Sequence, residues 1–325
     1  MEKSMRLGLA LSGGGIRAAV YHLGMLARMA ESGIFSKITS ISSVSGASLC
    51  IALIFAVNGN RWPSTLEFLQ KALPTMRHLI LEENIQRAAL IRLPFSPSYW
   101  NNRVEMLAKM LESMWGITGS LQDLPPFPFW EVNCTTFETG SRFRFRKDYM
   151  GDPKIGYVQK PNLLISHVVA ASAAFPVFVG PYELETSGLR FTSEKFGGHD
   201  VDVMQKYTLW DGGVYDNLGL DALHKIGGGL DDQINYLVVS NASAPLDYQS
   251  RGRPTKNLQR LIEISSAQID AIRTRDFFTN VVRKRRGRYH KISVAYPTTL
   301  NSPTKEDFDT IFKNGYDNFV DCYEN

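Results

Sequence analysis

Two kinds of apolar pattern alternate along the first sixty positions. Arg6–Leu11 (RLGLAL) is a short apolar run of the kind that forms a buried strand. Ile16, Ala19, Val20, Leu23, Leu26, Ala27 and Ala30 then keep the three-and-four spacing of a helix, and Gly33 stands where that helix should stop. Lys37–Val44 (KITSISSV) is rich in β-formers and alternates. Ser45–Val57 is apolar on all sides, as a buried helix would be. The order strand, glycine turn, helix, strand, turn, helix predicts an α/β fold around a parallel sheet.

The pattern changes at Arg61. Up to Pro128 the chain is richer in Pro, Trp and long polar side chains, with two helical segments at Leu66–Ile80 and Arg103–Trp115. This stretch, about 61–128, reads as a helical insertion or lid-like subregion. Phe129–Cys134 and Arg142–Phe145 read as strands joined at TFETG, Asn162–Ala174 as a helix ending before Pro176, and Phe191–Thr208 as a loop. Tyr236–Asn241 is a buried strand. Leu258, Leu261, Ile262, Ile269 and Ile272 mark one face of a long helix, Lys291–Tyr296 a last strand and Lys305–Tyr323 a last helix. The part from about 255 to 325 is thus a helix-and-strand extension.

Composition narrows the classes. Apolar residues make up 44% of the 325 and charged residues 21%, as in ordinary globular proteins. A net charge of +4 is too weak to argue for nucleic acid. The charge is locally dense, however, at Arg283, Lys284, Arg285, Arg286 and Arg288, where it suits either a solvated helix end or contact with anionic head groups. The aromatic, proline-containing run Leu93–Trp100 suits either packing under a loop or a hydrophobic lip. The longest apolar run, Leu49–Val57, has nine residues, whereas a spanning helix needs roughly 20. The three cysteines form no CxxC pair, and with no secretory signal pattern they point to a reducing, cytoplasmic setting, peripheral to a membrane at most.

Three local patterns carry chemistry. Gly13, Gly14 and Gly15, between a strand and a helix, bring bare backbone N–H groups to the positive end of a helix dipole, which makes an anion site. No GxxxxGK[ST] or GxGxxG follows, so the open readings are an oxyanion hole and a tightly packed turn. In ISSVSGAS, Ser45 follows a strand and precedes an apolar helix, the layout of a nucleophile elbow. Gly46 and Ala47 keep that turn small, although Ser43 and Ala47 replace the usual glycines; a plain serine-rich turn is the other reading. Six histidines are candidate bases, but none sits in a telling motif. Asp211, followed by Gly212 and Gly213 in LWDGGVYDNLGL, is the carboxylate candidate, with turn chemistry as its alternative and Asp216 and Asn217 as rivals in the same loop, read as turn or cap residues.

Together, SGGGIRA, SVSGAS and DGGVYDNLG resemble the patatin-like phospholipases, in the order that family shows. VVAASAAFPVFVGP and NCTTFETGSRFRF agree with it, and the resemblance spans residue 6 to about 240. It implies a single domain over 1–325 with a three-layer fold, a central, mostly parallel sheet flanked by helices. It also implies a Ser–Asp dyad with Ser45 as nucleophile and Asp211 as base. Gly14 and Gly15 would be oxyanion donors with Gly13 shaping their loop, and Arg17 would support the loop or meet a lipid phosphate. The substrate would be a phospholipid or other acyl lipid, hydrolysed through an acyl-enzyme with no metal or organic cofactor. An activating ligand or partner is left open. Two other classes stand beside this one: a weakly active or inactive relative that binds lipid or a partner, and a Ser–His–Asp esterase for small soluble esters.

Overall fold

In this computed structural model the described residues are 4–96, 99, 102–176, 179–193, 198–246 and 252–319. The chain opens with β1 (Leu7–Leu11), α1 (Gly15–Glu31), β2 (Ile38–Val44) and α2 (Gly46–Val57). The apolar pattern sets these four elements: β1 is buried throughout, and α2 exposes no side chain before its last turn. Gly33 ends α1 in the left-handed region, at φ 75°.

The insertion holds α3 (Thr65–Glu67), a π-helical turn (Phe68–Ala72), α4 (Leu73–Glu82), α5 (Ile85–Arg92) and α6 (Arg103–Trp115). Ser64 and Glu67 close a capping box that starts α3. The sequence reading did not anticipate α5, whose IQRAALIR has weak periodicity; Asn84 starts it by accepting the Arg87 N–H at 2.9 Å.

Next come β3 (Phe129–Thr136), β4 (Arg142–Phe145), β5 (Tyr149–Asp152), β6 (Gly156–Gln159), α7 (Ile165–Ser172) and β7 (Tyr182–Glu185). The expected loop at 191–208 instead contains β8 (Thr192–Ser193), β9 (His199–Asp200) and the start of β10 (Lys206–Asp211). Two-residue strands leave no readable period, so their pairing decides them. The chain continues with α8 (Gly213–Asp216), β11 (Tyr236–Asn241), α9 (Pro254–Asn280), β12 (Gly287–Lys291) and α10 (Lys305–Asn318). The last strand thus begins four residues before the expected Lys291. Gly287 explains the shift: a Cβ there would lie 2.5 Å from Leu237 O, so only glycine lets β12 close onto β11. Residues 320–323 of the expected last helix, and Cys322, fall outside the described residues.

One mixed sheet organises the molecule. Its parallel centre runs β12-β11-β1-β2-β3, and an antiparallel meander β4-β5-β6-β8-β9 extends it beyond β3. Helices flank the sheet, giving the α/β architecture. α1 and α10 approach so closely that a Cβ on Gly24 would lie 2.1 Å from Phe312 O, and one on Gly315 2.0 Å from Tyr21 O. No helix among the described residues is long and apolar enough to cross a membrane.

Candidate active site

The sheet register brings the two distant motifs together. β2 pairs along one edge of β3 as far as Val44 opposite Asn133. β10 enters from the other direction and takes the rest of that edge, ending with Asp211 opposite Cys134. Two strands therefore meet end to end along β3, and the next residue of β2 is Ser45. The carboxyl ends of β1 and β2 lie side by side, with Leu11 opposite Ser43, so the glycine loop leaves the sheet beside the serine.

Ser45 adopts φ 52° and ψ −117°, a strained backbone for a residue with a Cβ. The turn is possible because its neighbours are small. A Cβ on Gly46 would fall 1.9 Å from Gly15 O, and one on Gly13 would lie 3.2 Å from the Ser45 Cβ. The strain is held by hydrogen bonds from below. Ser45 N–H donates to Ser172 Oγ at 2.9 Å, and that hydroxyl donates to Asn133 O at 2.8 Å. Ser48 Oγ bridges Ser172 Oγ at 3.0 Å and Ser43 Oγ at 2.9 Å, and Trp130 Nε1 donates to Ser43 at 2.9 Å. Ser43 thus turns its side chain into this network, away from the elbow, and Ala47 is fully buried.

The Ser45 side chain lies near the Asp211 carboxylate and pulls its pKa down. Asp211 is fixed on several sides: Gly213 N–H donates to its Oδ1 at 2.7 Å, its own N–H donates to Ala174 O at 3.0 Å, and Thr135 Oγ1 donates to its carbonyl at 3.0 Å. Gly212 and Gly213 permit the approach, since a Cβ on Gly212 would lie 2.5 Å from Asn133 O. Burial pushes the Asp211 carboxyl up to about 6, against the pull of the Gly213 and Ser45 donors.

Of the three glycines, Gly13 donates its N–H to Asn217 O at 3.0 Å, so it is not free for a ligand and shapes the turn. Gly14 and Gly15 amides have no acceptor among the described residues. Gly14, at φ 144°, and Gly15, at φ 62°, hold conformations that favour glycine. A strap at residues 296–300 backs this loop. Thr299 O accepts the Ile16 N–H at 2.8 Å, while Thr299 Oγ1 and Leu300 N–H donate to Gln86 Oε1 of α5 at 2.9 and 2.7 Å. Arg17 is buried. Its guanidinium donates to Ala242 O at 2.9 Å, Thr298 Oγ1 at 3.1 Å and Tyr296 O. All three partners lie on the segments beside the glycine loop. Burial lowers its pKa to about 10.

The other candidates lie elsewhere. His22 bonds Ser240 Oγ and Ser12 O, each at 2.9 Å, and burial takes it down to about 4. His224 pairs with Asp276 at 2.7 Å, His290 meets Asn318 O, and His167 faces Glu105. No histidine bonds Ser45 or Asp211 among the described residues. Cys50 and Cys134 are buried, free thiols, the first pushed up to about 12 by burial. No metal-binding group of three or more His, Cys, Asp or Glu occurs among the described residues. Part of the Leu93–Trp100 run lies outside them.

A sequence model described as Patatin-like phospholipase matches residues 9–224. Among solved structures the chain is similar to human GIVD cytosolic phospholipase A2, at 15% identity and TM-score 0.48, covering 72% of this chain and 45% of that one. It is also similar to VipD from Legionella pneumophila, at 19% identity and TM-score 0.45, covering 96% of this chain and 66% of that one. The chain therefore spans less than two thirds of either structure's length. No curated protein matches it. The family match takes in the glycine loop, Ser45 and Asp211, and extends over about two thirds of the sequence. The chain belongs to the patatin-like phospholipase family.

Proposed function

We propose that this protein is a lipid acyl-ester hydrolase of phospholipase A or lysophospholipase type, with Ser45 as nucleophile and Asp211 as general base. Family membership supports lipid hydrolysis. The observation that carries the finer reading is the meeting, where β2 and β10 end along β3, of a strained, partly exposed serine with a buried carboxylate whose pKa that serine pulls down.

The chemistry runs in two halves. Asp211 takes the Ser45 proton as the oxygen attacks the ester carbonyl. Negative charge develops on the carbonyl oxygen, where the Gly14 and Gly15 amides at the start of α1 receive it. Each such donor is worth roughly 3–4 kcal/mol in the transition state. Asp211 passes its proton to the departing alcohol, which leaves an acyl ester on Ser45. Water activated by Asp211 then releases the fatty acid. A carboxylate whose pKa is raised to about 6 is ionised at neutral pH, yet is a stronger base than an ordinary aspartate.

The test is labelling by a fluorophosphonate, read by intact-protein and peptide mass spectrometry. Wild type is expected to carry one adduct at Ser45, Ser45→Ala none, and Asp211→Ala a labelling rate reduced at least about a hundredfold. Unlabelled wild type, with or without lipid present, would transfer support to the reading of a regulated lipid- or partner-binding module.

A further inference from the structure

Helix α9 is turned inside out. The buried side chains along its 27 residues are Asp270, Arg273 and Phe277. Its outer face carries Leu258, Leu261, Ile264 and Ile272, exposed by 52, 61, 40 and 55%. These positions recur at helical spacing with Ser265 and Gln268 between them, so they form one stripe. The inner polar residues have partners that explain their burial. Arg273 Nε lies 3.5 Å from Asp216 and its Nη1 3.3 Å from Asp221. Asp270 accepts from Ser243 at 3.4 Å, and Ser243 in turn accepts from Asn217 at 2.7 Å. Nothing comparable covers the outer stripe among the described residues.

We propose that the outer face of α9 is a docking surface for an anionic lipid bilayer. This rests on reading the chain as a lipid hydrolase. Charge selects the occupant. Arg253 and Lys256 are exposed at the start of the helix, and Arg283, Lys284, Arg285 and Arg286 just past its end. The stripe between them presents no carboxylate: Glu263 is turned toward Arg260, and Asp276 is taken up by His224 and Gly227. An apolar stripe with cations at both ends is the pattern of a helix lying in a membrane interface. Its place in the fold suits the chemistry. On the opposite side, Ser266 Oγ donates to Gly213 O at 3.2 Å, two residues from Asp211. A bilayer against the stripe therefore lies about one helix diameter, roughly 10 Å, from the Asp211 turn.

The test uses the whole chain carrying Ser45→Ala, floated with vesicles of phosphatidylcholine alone or mixed with phosphatidylglycerol. Binding is expected to the mixed vesicles and to fall as salt is raised. Leu261→Glu with Ile272→Glu should weaken it at least about tenfold, and each neutralised residue of Arg283–Arg286 about fivefold. In the Ser45 protein, Leu261→Glu with Ile272→Glu should leave hydrolysis of a monomeric short-chain nitrophenyl ester unchanged, which reports an intact fold. Equal vesicle binding by the double variant overturns the proposal. So does a dimer, seen by sedimentation, that this variant dissolves. Ester hydrolysis without vesicle binding sinks the docking face and leaves the hydrolase standing. Vesicle binding without fluorophosphonate labelling does the reverse.

Discussion

Asp211 has a raised pKa because it is buried, and this has opposite consequences for activity and stability. As the proposed base it must be ionised, so hydrolysis of a soluble ester is expected to rise through about pH 6 and level off above it. Its folded pKa exceeds the ordinary 3.8, so the folded state favours the protonated form. The stability this contributes is complete below pH 3.8 and is lost as pH rises through about 6. Asp211→Asn should therefore be inactive yet more stable than the parent at pH 8, on the order of 2–3 kcal/mol, as read by urea denaturation. Ser172 acts on the other partner. Ser172→Ala strands the Ser45 N–H beneath its strained turn, and should cost about 1–3 kcal/mol of stability and slow fluorophosphonate labelling. The residues that could be read from sequence are those beside strand ends, where small neighbours announce a sharp turn: the three glycines, Ser45 and Asp211. Ser172 and Asn133 could not: they reach the elbow from other segments, and a lone Ser or Asn carries no local pattern. Asn217 lies in the same glycine-rich loop as Asp211 and stands beside it in the sequence as a rival for a role there.

Among the elements, β1, α1, β2 and α2 were legible because their apolar periods are long and unmixed. The period of α9 was legible too, but not its orientation. Periodicity identifies a face, and only the neighbours decide whether that face looks inward; here α8 and its ion pairs claim the polar side. The α1–α10 contact was hidden for a related reason, since it rests on the absence of side chains at Gly24 and Gly315. Gly315→Ala places a methyl group against Tyr21 O, so α10 must move outward. We expect a loss of about 1–3 kcal/mol in chemical denaturation and slower labelling of Ser45, because the strap that carries Thr299 leads directly into α10. Normal labelling in that variant would mean that the strap holds its place without the helix.

For the molecule as a whole, a modest charge of +4 includes exposed cations gathered at both ends of α9. Vesicle hydrolysis should therefore weaken with salt while turnover of a dissolved ester does not, since screening weakens the attraction of surface charges to a bilayer. The site itself joins distant parts of the chain. The family match ends at residue 224, but the glycine loop leans on Ala242, Tyr296, Thr298 and Thr299, which lie beyond it. That dependence sets an order in time. A ribosome makes the glycines and the serine first and the carbonyl that steadies their loop some 280 residues later. Throughout that interval the nascent chain holds Ser45 but lacks the support behind its glycine loop. A protein for which we propose membrane lipid as substrate thus lacks its finished glycine loop until synthesis has passed residue 299.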